Sequence, residues 1–70
     1  MITIPISSSN IAGAEYDASN QVLYITFHSG AKYRYDGVSQ EDVDAFAIAP
    51  SAGSHFHNEI KSSFAATRVG

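Results

Sequence analysis

Two alternating runs joined at a glycine constrain this chain more than any other feature. From Gln21 to Val38 it reads Gln-Val-Leu-Tyr-Ile-Thr-Phe-His-Ser-Gly-Ala-Lys-Tyr-Arg-Tyr-Asp-Gly-Val. Period-two alternation of β-branched and aromatic residues is the pattern of paired strands. The loop between them follows by elimination. A two-residue loop, Ser29-Gly30, would set Ile25 opposite Arg34 and mix the two faces. A three-residue loop, His28-Ser29-Gly30, pairs Phe27 with Ala31, Ile25 with Tyr33 and Leu23 with Tyr35. It also puts glycine at the position that needs a left-handed backbone. A slip of one residue would invert every side chain, so the pattern selects the register. One face then carries Leu23, Ile25, Phe27, Tyr33 and Tyr35, and the other carries Tyr24, Thr26, Lys32 and Arg34.

Seventy residues make a single domain, 1–70, with a core expected over about 7–64. The chain is 44% hydrophobic, which is a globular composition. A domain this small buries only about 60% of the surface its unfolded chain exposes. It has no cysteine and no metal-ligand spacing, so the usual staples of small scaffolds are missing. Tight packing or homo-oligomerisation is expected instead. The formal net charge of −3 argues against a generic duplex nucleic-acid binder. No apolar run approaches the roughly 18 residues of a membrane span. Met1 to Ile6 lacks the basic start of a signal peptide. A cytoplasmic protein is the expectation.

The rest of the chain reads as an α+β fold, a three- to four-stranded antiparallel meander with two C-terminal helices on one face. Met1 to Ile6 alternates weakly around Pro5 and predicts at best an edge strand, with Ile2, Ile4 and Ile6 on one side. Ser7-Ser8-Ser9-Asn10 is a turn or an anion-binding loop. Ile11 to Tyr16 predicts a strand, and Asp17 to Asn20 a turn into the hairpin. Ser39 caps a helix with acids in its first turn and an apolar stripe at Val43, Phe46 and Ala47; Pro50 ends it. A second helix follows Ser51-Ala52-Gly53-Ser54, with Phe56, Ile60 and Phe64 spaced by four. Ala65 to Gly70 reads as a fraying tail.

Three segments together resemble a known family. They are Ser9 to Asp17, Phe27 to Val38 with Tyr33-x-Tyr35, and Ala49 to Ile60 with Ser51-x-Gly53. In this order they resemble the KTSC domain, a short domain at the C-terminus of some lysyl-tRNA synthetases and a stand-alone protein in bacteria and their phages. The resemblance spans roughly Ser7 to Phe64. The chain departs from the family pattern at Ser39, usually proline, and at Glu15, usually glycine. The resemblance implies no established activity, though an RNA-binding role is suggested for the family.

Several residues are candidates for function, each with a plainer alternative. Tyr33 and Tyr35 could stack a base as sheet aromatics do, or belong to the core. Tyr24, Lys32 and Arg34 set an aromatic ring beside two cations, a combination suited to a nucleotide, or they form a solvated or subunit-covered face. Ser51, Gly53, Ser54 and His55 could cradle an anion where the second helix begins, or simply cap it. His55 and His57 are two apart and so point to different sides of a helix, which is not how paired metal ligands sit. Lys61 and Arg68 could offset the helix dipole. No nucleophile motif and no metal or cofactor set is present, so no enzymatic activity is expected. The expectation is a non-catalytic module that captures a small phosphate-bearing, nucleotide-like ligand; in a phage it could sequester a host nucleotide immune signal. RNA binding, to single strands or tRNA, and a purely structural oligomer are the alternatives.

Overall fold

The structure, a computed structural model, describes residues 1–70. Five antiparallel strands form one sheet in the order β1-β2-β3-β4-β5: β1 Ile2–Thr3, β2 Ile11–Asp17, β3 Val22–Phe27, β4 Lys32–Asp36 and β5 Ala66–Arg68. Helix α1, Gln40–Ile48, and helix α2, Ala52–His55, lie between β4 and β5. α2 runs directly into a π-helical turn, Phe56–Ile60, closed by the Lys61 N–H on the Phe56 carbonyl at 2.8 Å. No helix is long and apolar enough to cross a membrane.

The central hairpin has the register its pattern dictates. Leu23 pairs with Tyr35, Ile25 with Tyr33 and Tyr24 with Arg34. The Phe27 N–H donates to the Ala31 carbonyl and the Gly30 N–H to the Phe27 carbonyl, both at 2.9 Å, which leaves His28-Ser29-Gly30 as the loop. Gly30 has φ +98°, open to glycine and strained for other residues. Ser39 forms a capping box with Asp42: its hydroxyl accepts from the Asp42 N–H at 3.2 Å and its own N–H donates to the carboxylate at 3.3 Å. Ala49, ahead of Pro50, is extended, and α1 stops there.

Both helices cover the face of Leu23, Ile25 and Tyr35. Val43 and Phe46 of α1, Ala52 of α2, and Phe56 and Ile60 of the π turn join these residues in one buried cluster. Phe56 anchors the second helix with edge-on contacts to Phe27 and Tyr35, at centroid separations of 5.6 and 5.4 Å. The Tyr16 hydroxyl donates to the buried Val38 carbonyl at 2.6 Å, fixing the chain where it leaves the sheet for α1.

Three expectations are corrected: the strand count, the fraying tail and the extent of the second helix. The sheet has five strands rather than three or four, because Ala66–Arg68 pairs along the free edge of β4 instead of fraying. The unpaired N–H and C=O groups of an edge strand accept even a short polar partner. β2 carries a bulge between Ile11 and Gly13, which brings Ile11 and Ala14 to the same buried side despite their odd spacing. Ile2 and Ile4 do share a side, opposite Tyr16 and Ala14, but Ile2 sits at the outer edge of the sheet and is 58% exposed. The second helix ends before Phe64, which packs on the core from the following turn.

Candidate functional site

The helices cover the sheet incompletely, and a groove runs along the seam they leave. It consists of three adjoining cavities. The polar one, about 480 Å³, lies between the Ser7–Asn10 loop and the start of α2, and apart from Pro50 and Gly53 its wall is made of polar side chains. The central one, about 390 Å³, is bounded by the hairpin loop, Phe27, Phe56, His57 and Lys61. The aromatic one, about 310 Å³, is bounded by Phe27, Tyr33, Tyr35, Lys61 and Ala66. The central cavity shares His57 and Gly53 with the polar one, and Phe27 and Lys61 with the aromatic one.

Local contacts hold these walls. The Ser8 hydroxyl accepts from the Asn10 and Ile11 N–H groups at 3.2 and 3.3 Å, so the serine-rich segment is a closed turn. The hairpin loop is tied to it twice. The His28 N–H donates to the Asn10 carbonyl at 3.0 Å, and the His28 ring donates through Nε2 to the Ser8 carbonyl at 3.2 Å. Gly53 lets the helix approach this turn: a Cβ there would stand 3.1 Å from the Ser8 hydroxyl oxygen. Across the groove, Ser51 caps α2 by accepting from the Ser54 N–H at 3.3 Å and donates its own hydroxyl to Ser54 Oγ at 3.1 Å.

The electrostatics of the groove run against those of the chain. The chain has seven acidic and four basic residues, yet no aspartate or glutamate borders any of the three cavities. His28, His57 and Lys61 all border the central one. Lys61 differs from the other cations. Arg34 binds Asp36 at 2.6 Å, Lys32 lies 3.7 Å from Glu15, and the Arg68 guanidinium donates to the Gly70 carbonyl at 2.9 Å. The Lys61 ammonium is exposed and has no such partner.

The sequence candidates separate accordingly. Ser51, Gly53 and Ser54 border the polar cavity, and Tyr33 and Tyr35 the aromatic one. Tyr35 is also core, 3% exposed, and burial raises its phenol pKa, with a smaller contribution from Tyr33. Tyr24, Lys32 and Arg34 sit on the opposite face, where no cavity opens. There the Lys32 ammonium lies 5.3 Å from the Tyr24 ring centre, and the Asp36 hydrogen bond holds the Arg34 guanidinium firmly protonated. That face therefore does not form the same site as the serines and the paired tyrosines. His55 borders no cavity; its ring packs 6.1 Å from that of Phe46. Sequence reading passed over His57 and Lys61 as site residues. Their spacing of four, one side of one helix, was the available signal. No three His, Cys, Asp or Glu side chains converge to hold a metal ion.

The model of the KTSC domain family matches residues 7–64. The chain is 39% identical over 61 residues to a protein of Stutzerimonas stutzeri, an alignment covering 87% of this chain and 86% of that one. It is 37% identical over 65 residues to a protein of Tsukamurella paurometabola, covering 93% and 97%. The crystal structure of a KTSC domain protein from Yersinia pestis superposes with a TM-score of 0.90 at 35% identity, covering 97% of this chain and 96% of that one.

Proposed function

The chain belongs to the KTSC domain family, and we propose that it is a non-catalytic binding module for a small phosphate-bearing, nucleotide-like ligand held in the seam groove. One observation carries this reading. In a chain of net charge −3, the groove gathers two imidazoles and the one lysine without an acidic partner and excludes every carboxylate. A cleft lined by one sign of charge concentrates ligands of the opposite sign, and an ammonium without an intramolecular partner keeps its hydrogen bonds for an anion. Each cavity falls within the roughly 300–1,000 Å³ of small-molecule sites.

The module reading is favoured over a catalytic one by what surrounds the hydroxyls. Ser51 and Ser54 bond to each other rather than to a histidine, and no carboxylate borders the cavity to orient His57 as a base. Capture without turnover suits the sequestration of a nucleotide signal, the role such a protein would have in a phage. RNA binding is less well supported, since its expected cations, Lys32 and Arg34, already face Glu15 and Asp36.

Isothermal titration calorimetry against ADP-ribose derivatives, mononucleotides and cyclic nucleotides tests the proposal. Saturable heat with at least one, weakened in Lys61→Gln and unchanged in Arg34→Ala, is expected. No heat with any of them ends this reading. A salt-sensitive gel shift with single-stranded RNA that disappears in Arg34→Ala would move the function to the other face.

A further inference from the structure

The three cavities have a fixed order. The central one shares walls with both others, and the polar and aromatic ones share no residue. A ligand that fills the groove therefore meets three chemistries in sequence. Beside Tyr33, Tyr35 and Phe27 it meets ring faces and edges with few polar partners, a wall for a flat heteroaromatic ring. In the middle it meets Lys61 and His57, cationic or N–H-bearing groups that donate to phosphate oxygens. At the far end it meets the serine turn, Ser51, Ser54 and Asn58, all neutral and able both to donate and to accept. Such a wall does not favour charge. It matches a sugar, whose hydroxyls also do both.

We infer that the ligand class is a nucleoside diphosphate sugar, with its base at the tyrosines, its diphosphate at Lys61 and His57, and its terminal sugar among the serines and Asn58. This rests on the reading of the groove as a phosphate-ligand site and goes beyond it. A nucleoside monophosphate occupies only the aromatic and central cavities. A sugar phosphate occupies only the central and polar ones. The joined molecule contacts all three and loses its translational freedom once rather than twice, so its affinity exceeds that of either half.

The test is a calorimetric series on the wild-type chain with ADP-ribose and UDP-glucose, each against its own halves: AMP with ribose 5-phosphate, and UMP with glucose 1-phosphate. At least one intact compound is expected to bind tenfold or more tighter than both of its halves. Asn58→Ala, at an exposed position, is expected to weaken the intact compound several-fold and leave the nucleoside monophosphate unchanged. Tyr33→Ala is expected to do the reverse, weakening the nucleoside monophosphate and sparing the sugar phosphate; retained sugar phosphate binding also shows that this variant is folded. A monophosphate that binds as tightly as the intact compound overturns the inference, as does equal loss of both in Asn58→Ala. Heat from cyclic nucleotides alone overturns it while leaving the groove reading in place. Silence from every compound removes both.

Discussion

The two faces of the sheet carry the same kinds of residue and use them differently. On the open face Tyr24, Lys32 and Arg34 place an aromatic ring beside two cations, as a nucleotide site would require. Each cation already has its counter-charge, Glu15 for Lys32 and Asp36 for Arg34. On the helix-covered side the residues are less suggestive in sequence, a lysine and two histidines scattered over 34 positions from His28 to Lys61. The fold gathers them around one cavity and keeps the acids away. The lesson is that availability, not residue type, marks a binding surface. A cation saturated by a neighbour costs a ligand the exchange of one partner for another, whereas a free one offers the whole interaction.

The largest effect should come from a large residue shared by core and groove. Phe56, 5% exposed and in contact with two aromatic rings, forms the groove floor. Phe56→Ala should cost about 3–5 kcal/mol, enough to unfold a domain of this size. Urea titration measures it, and a loss below about 1 kcal/mol would mean that the seam is not bound to the core as described. Next, Lys61→Gln should weaken ligand binding about tenfold, corresponding to about 1.4 kcal/mol, with the melting temperature unchanged. Lys32→Ala should leave the binding heat intact. If the two variants behave alike, the contrast between the faces fails.

Tyr16→Phe removes the donor from the buried Val38 carbonyl and should cost about 1–2 kcal/mol, seen as a lower melting temperature with unchanged ligand affinity. The same residue sets an alkaline limit. Burial, and then the nearby Asp42, raises the Tyr16 phenol above its ordinary value of 10.0. A group whose folded pKa is raised contributes stability below its unfolded pKa and loses it as pH climbs through the folded value. Stability should therefore fall above about pH 10, less steeply in Tyr16→Phe, when melting is followed across that range. The smallest effect belongs to Arg34→Ala. Its ion pair is more than a third exposed on both sides, so removal should change stability by less than about 0.5 kcal/mol. A larger loss would show that the open face is braced by that pair.

Much of the fold was legible because the hairpin leaves one solution. Period-two alternation from Val22 to Tyr35 with glycine at position 30 admits a single register that keeps Leu23, Ile25, Tyr33 and Tyr35 together, and that register is present. Helix α1 was legible from Ser39 and Pro50, one a cap and the other a stop. β5 was not. Ala66-Thr67-Arg68 is short and exposed and has no apolar alternation; it becomes a strand because β4 offers it an unpaired edge. The bulge at Ala12 and the π turn at Phe56–Ile60 likewise leave no periodic trace, since each is an adjustment of one residue made to fit packing. Of the candidate site, the serines, Gly53 and the tyrosine pair were in view, whereas Lys61 and His57 were not. Sequence spacing showed that they share a helix side but not that the side faces the hairpin loop.

By itself the amino-acid sequence determined the hairpin, its faces, the limits of α1 and membership of the family, because these follow from interactions between residues close along the chain or from pattern alone. The tertiary structure decided which cations are spent and which are free. Pairing across strands, as in Lys32 with Glu15, and the meeting of His28 with His57 and Lys61 depend on distances between segments remote in sequence, and Coulomb attraction follows distance in space.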